Sequence, residues 1–182
     1  MDTAKAAAPF NGVYMDNVGG NWSHSGAGPA DPLSDMYAPA AALVRAAGLR
    51  VWTNGPSVGP HSVGINASQA RPYLGLATFT TIFEMEYADW LRYPAVNFSE
   101  ALAWPPSQLG GLVLNIPANA TTEGLVGVIL SARRRGLGWI YPFSACEAAP
   151  GAGCSYAELP GYWDRMVAAF ESVNGALQLG HG

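Results

Sequence analysis

Thr78-Phe79-Thr80-Thr81-Ile82-Phe83-Glu84 is the stretch on which the reading of this chain turns. Six consecutive β-branched or aromatic residues have the composition of a strand. The run stops at a glutamate with no Gly or Pro beside it, and glutamate is not a turn former. A carboxylate placed where a strand ends is therefore a candidate for chemistry.

The same pattern recurs on either side. Phe10-Asn11-Gly12-Val13-Tyr14-Met15 runs into Asp16-Asn17, and Arg50-Val51-Trp52-Thr53 runs into Asn54. Downstream, Gly111-Leu112-Val113-Leu114 ends at Asn115, and Gly138-Trp139-Ile140-Tyr141 forms a fifth strand. Between them lie helical patterns. Asp31-Pro32 caps and opens one that carries Leu33, Met36, Tyr37, Ala40, Leu43 and Val44, with a kink expected at Pro39. Thr121 or Thr122 caps a second, bearing Leu125, Val128, Ile129 and Ala132 and closed by Gly136. A last helix presents Trp163, Met166, Val167, Phe170 and Val173 on one face, and Gly175 begins a frayed tail, 175–182.

Strand ends about 25 to 40 residues apart, with helices between them, give βαβ units. The fold class is thus α/β: a partial (β/α) TIM-type barrel of about five parallel strands with outer helices, in one domain over 1–182. A closed barrel needs eight strands and about 250 residues. Open edges in a partial barrel imply either an N-terminally truncated gene product or an oligomer that covers them. In such folds the carboxyl ends of parallel strands form the active face.

Composition narrows the function. The 182 residues are 49% hydrophobic and 12% charged, with a net charge of -4, which suits one domain with a large core. Arg133-Arg134-Arg135 is the one basic cluster, and it closes a helix whose dipole it complements, so nucleic acid is excluded as the main partner. No apolar run is long enough to span a bilayer. Cys146 and Cys154 share one loop and define neither a metal site nor a redox compartment. Four Asn-x-Ser/Thr sequons, at Asn21, Asn66, Asn97 and Asn119, point to a secretory origin, whereas Met1 to Pro9 lacks a signal-peptide core. A missing N-terminal segment would reconcile the two, with the full-length form secreted; the alternative, with no signal peptide in this chain, is a cytoplasmic protein.

Glycoside hydrolysis usually takes two carboxyl groups flanking the scissile bond. Asp16 and Glu84 end strands separated by a single strand, so both can reach one cleft; Glu86 and Asp89 are rivals expected on the following helix or loop. Asn17, Asn54 and Asn115 are placed to hold sugar hydroxyl or acetamido groups. Trp52, Trp104, Trp139 and Tyr87 could stack on a sugar ring, while Trp52 and Trp139, inside strands, suit core packing.

Four runs together resemble the spherulin-4 family: Phe10 to Asn17, Val51-Trp52-Thr53-Asn54-Gly55-Pro56, Ile82-Phe83-Glu84-Met85-Glu86-Tyr87, and Tyr156 to Trp163. The resemblance covers nearly the whole chain but only the later part of the family's barrel. It implies a glycoside hydrolase without a cofactor or metal, similar to secreted endo-α-1,4-N-acetylgalactosaminidases. Its acid and nucleophile would match Asp16 and Glu84, its partner an oligo- or polysaccharide. Three departures stand out. The family's Asp-Glu dyad reads Asp16-Asn17, a family histidine is Asn115, and a later acidic motif is replaced by Tyr141-Pro142-Phe143-Ser144. An amide cannot exchange a proton as a carboxyl does. The alternative is a non-catalytic sugar-binding or interaction protein on the same scaffold.

Gly55-Pro56-Ser57-Val58-Gly59 has the form of a nucleophile elbow, but prolines surround it and no helix starts there. His24, His61 and His181 lack metal-ligand spacing.

Overall fold

The computed structural model describes residues 11–15, 32–54, 71, 73–94, 96–143 and 159–179. Among the described residues, five strands form one sheet: β1 (Gly12–Met15), β2 (Arg50–Asn54), β3 (Phe79–Glu86), β4 (Leu109–Leu114) and β5 (Trp139–Pro142). Their spatial order is their chain order, β1-β2-β3-β4-β5, and every neighbouring pair is parallel. The helices are α1 (Pro32–Ala46), α2 (Tyr87–Arg92), α3 (Phe98–Leu102), α4 (Thr122–Arg134) and α5 (Trp163–Leu179). A 3-10 turn, Pro106–Gln108, leads into β4. Among the described residues the sheet stays open, with β1 and β5 as its edges, so the architecture is the expected partial (β/α) barrel.

Alternation along β2 shows how the layers divide. Val51 is fully buried with Ala41 of α1, Tyr73 and Leu76, whereas Arg50 and Trp52 are exposed. One face of the sheet is therefore sealed by helices, and the other, the inner face, stays open to solvent. Phe83, Val113 and Ile140 continue the sealed face and pack with Trp90 and Phe98 of α2 and α3 and with Leu125 and Met166 of α4 and α5. This is the main core.

Local rules explain the ends of α4. The Thr121 hydroxyl accepts from the Gly124 N–H at 3.1 Å, a side-chain N-cap. After α4 the chain turns at Gly136, whose φ of 69° and crowding by Asn97 and Ser99 leave no room for a Cβ. Arg133 and Arg134 lie exposed in the last turn, but Arg135 does not behave as a solvated helix-end charge. It is 6% exposed, donates to the Tyr93 carbonyl at 2.7 Å, bonds the Ser131 hydroxyl, and stacks 4.4 Å from the Trp90 ring. A planar guanidinium makes the bonds and the stack at once, fastening α4 to α2.

Three differences from the sequence expectations are informative. The short helices α2 and α3 are too brief to show a helical period. The third strand continues past Phe83 to Glu86. The last helix passes through Gly175 and continues to Leu179. Among the described residues, no helix is long and apolar enough to cross a membrane.

Candidate functional site at the carboxyl rim

The rim is built from polar residues at the carboxyl ends of three neighbouring strands. Asn54 closes β2 and donates from Nδ2 to Oε2 of Glu84 on β3 at 3.0 Å. Asn115, immediately after β4, donates from Nδ2 to Oε2 of Glu86 at 2.7 Å. Glu84 and Glu86 thus project from the same side of β3, each held by an amide from a different neighbour. Glu84 is half-buried and Glu86 exposed.

A β-bulge puts them there. Thr81 pairs with Gly110 and Phe83 with Gly111, so Ile82 is an extra residue on β3. Thr81 faces inward, where its hydroxyl accepts from Trp52 Nε1 at 3.1 Å. Strict alternation from Thr81 would point Glu84 into the helix-covered core. The extra residue resets the phase: Phe83 goes into the core and Glu84 onto the open face. Bulges that re-aim a side chain are common beside active sites.

Asn115 has a φ of 55°, in the left-handed region that asparagine tolerates better than most residues. That turn lets Ile116 donate to the Phe143 carbonyl at 3.0 Å, joining the chain after β4 to the chain after β5. Among the described residues, the Asn115 Oδ1 is buried and has no partner. An acceptor left in that state is completed when a water or a ligand hydroxyl donates to it. On the last strand, burial pushes the phenol of Tyr141 above the usual tyrosine range.

The aromatic residues of the inner face lie elsewhere. Tyr14, Arg50, Trp52, Phe79 and Trp139 line a cavity of about 470 Å³ toward the amino ends of the strands, away from the carboxylates. Trp52 meets Tyr14 and Trp139 edge-on, with centroids 5.6 and 4.9 Å apart. Trp139 lies flat over Gly110, where a Cβ would overlap its ring.

The sequence-predicted residues therefore divide. Glu84, Asn54 and Asn115 assemble at the rim. Asp16 and Asn17 lie outside the described residues; β1 is described up to Met15, which pairs with Thr53. Trp52 shares the inner face but belongs to the aromatic cavity, and its 40% exposure corrects the expectation of core packing. Tyr87 opens α2 and packs, half-buried, against the main core. Trp104 also packs there. Cys146, Cys154, Ser57 and the three histidines fall outside the described residues.

Glu86 was placed on a following helix or loop by sequence reading, but it is the last residue of β3; Asp89 is indeed on α2. The signal was present in Glu84-Met85-Glu86, a polar-apolar-polar alternation that belongs to a strand. Asn97 was read as part of a glycosylation sequon. Its side chain caps α3, accepting from Glu100 N at 3.3 Å and donating to Glu100 Oε1 at 2.8 Å.

No protein-family model matches the sequence, and a search of curated proteins finds no match. Among solved structures, the fold is similar to that of Aspergillus clavatus Sph3, a crystal structure in complex with GalNAc, with a TM-score of 0.60 and 18% identity. The match covers 87% of this chain and 56% of the Sph3 chain, so the protein shares this fold while spanning little more than half of that neighbour's length.

Proposed function

We propose that this chain is a spherulin-4-like carbohydrate-active protein, a glycoside hydrolase acting on α-1,4-linked galactosamine or N-acetylgalactosamine polymers. The observation that carries the reading is the Asn54–Glu84 pair, which holds a carboxylate on the open face at the strand ends. The fold shared with a GalNAc-bound protein supports a sugar as the ligand.

In this reading Glu84 and Asp16 divide the work of acid and of nucleophile or base. One gives its proton to the glycosidic oxygen as the bond to the anomeric carbon breaks. The other, as a carboxylate, attacks that carbon or takes a proton from the water that does. Asn54 orients Glu84, and Asn115 supplies a second amide at the rim beside which the substrate sits.

The departure Asp16-Asn17 favours a second reading, a non-catalytic sugar-binding protein. Incubation with partially deacetylated α-1,4-linked galactosamine oligomers, followed by mass spectrometry, separates the two. Hydrolysis gives shorter oligomers, and Glu84→Gln abolishes them. Binding without cleavage, unchanged by Glu84→Gln, establishes the second reading and overturns the first.

A further inference from the structure

Resting on the hydrolase reading, β3 itself offers Glu84 a second carboxylate in place of Asp16. We infer that Glu86 is a catalytic carboxylate, partnered with Glu84 and positioned by Asn115.

Residues two apart on a strand face the same way, with their Cβ atoms about 6.6 to 7 Å apart. Flexible glutamate side chains on such a pair can reach the separations used by glycosidases, about 5 to 9.5 Å. The bulge at Ile82 puts Glu84 in phase with the open face, and Glu86 follows in the same phase. Both are anchored by amides, Glu84 from β2 and Glu86 from β4, on opposite sides of β3. A solvated surface glutamate does not need such an anchor.

Asn115 has a simpler explanation as a turn former, because a φ of 55° favours Asn or Gly. Glycine would meet the backbone demand alone. Asparagine adds the 2.7 Å bond to Glu86, which the turn alone does not require. Glu86 is also the nearest described carboxylate to Glu84 along the strand.

Exposure sets the division of labour. Glu86, in contact with solvent, takes a proton from a water whose oxygen bonds to the anomeric carbon. The bond to the leaving oxygen breaks, and its electron pair receives the proton of Glu84. One water is consumed, Glu86 ends protonated and Glu84 ionised, and exchange with solvent resets both.

The test uses the whole chain with the galactosamine oligomers above. Glu86→Gln should lower kcat by about 10²- to 10⁴-fold with KM within about threefold. Azide, a nucleophile that needs no base, should restore turnover to Glu86→Ala with release of a glycosyl azide, and should not restore Glu84→Ala. Asn115→Gly, which keeps the backbone and loses the amide, should lower kcat about tenfold. Circular dichroism should show each variant folded. A Glu86→Gln variant that keeps half or more of the wild-type kcat, while Glu84→Gln is inactive, overturns this role and leaves the hydrolase reading standing. A wild-type chain that cleaves none of the oligomers overturns both.

Discussion

Asn54 Nδ2 lies 3.0 Å from Glu84 Oε2, joining the last residue of one strand to a carboxylate on its neighbour. The bond crosses the sheet at its carboxyl rim and fixes where a flexible glutamate points. Replacing Asn54 with Ala removes the donor and leaves Glu84 hydrated but disordered. A bond to a charged group is worth about 1.5 to 3 kcal/mol when buried, and solvent at this half-buried site reduces it to about 1 kcal/mol. Urea denaturation of Asn54→Ala should show that small loss, with turnover of the oligomers falling by about tenfold.

Gly110 and Trp139 form a second test, independent of the function. The Trp139 ring occupies the space of a Cβ on Gly110. Gly110→Ala should therefore destabilise the protein by about 1 to 3 kcal/mol through overpacking. The double variant Gly110→Ala/Trp139→Leu should lose less than the sum of the two single changes, because the smaller side chain relieves the overlap. Denaturation followed by far-ultraviolet circular dichroism measures all three.

Arg135 fastens α4 to α2 through the Tyr93 carbonyl and the Trp90 ring. Arg135→Met keeps much of the packing but takes the donor from the half-buried Tyr93 carbonyl, at a cost of about 1 to 2 kcal/mol. Arg135→Lys should not restore stability, since an ammonium cannot stack on Trp90 while serving both Tyr93 and Ser131. Thermal melts of the two variants should fall together below the wild type.

Burial pushes the phenols of Tyr93 and Tyr141 above the ordinary tyrosine value of 10.0, and for Tyr93 the nearby Arg135 opposes the shift. Both groups hold their protons more tightly in the folded chain than in the unfolded one. Their contribution to stability is therefore intact below about pH 10 and is lost as pH rises through their folded values. Urea midpoints should hold steady from pH 8 to about 9.5 and then decline. Phenolate absorbance at 295 nm should contain a late-titrating component that Tyr141→Phe diminishes.

Much of the fold was legible because its signals are local. Thr78 to Glu84 has strand composition whatever surrounds it, and Thr121 caps α4 through its own hydroxyl. The five strands, their parallel order and the polar residues at their ends follow from such runs spaced by helices. Short elements escaped, since α2 and α3 are too brief for a helical period to declare itself.

Sequence alone thus determined that this chain is a strand–helix alternation whose apolar strands end in Asn and Glu. Tertiary structure decided which way those side chains point. The phase of β3 depends on the extra residue at Ile82, and a bulge exists only where one strand is paired against another. Pairing with Gly110 and Gly111 of β4 turned Phe83 into the core and set Glu84 and Glu86 side by side in the open. Partners some 30 positions away in sequence, Asn54 and Asn115, then completed the rim. No local pattern encodes those pairings, because they arise from how the strands register when the core closes.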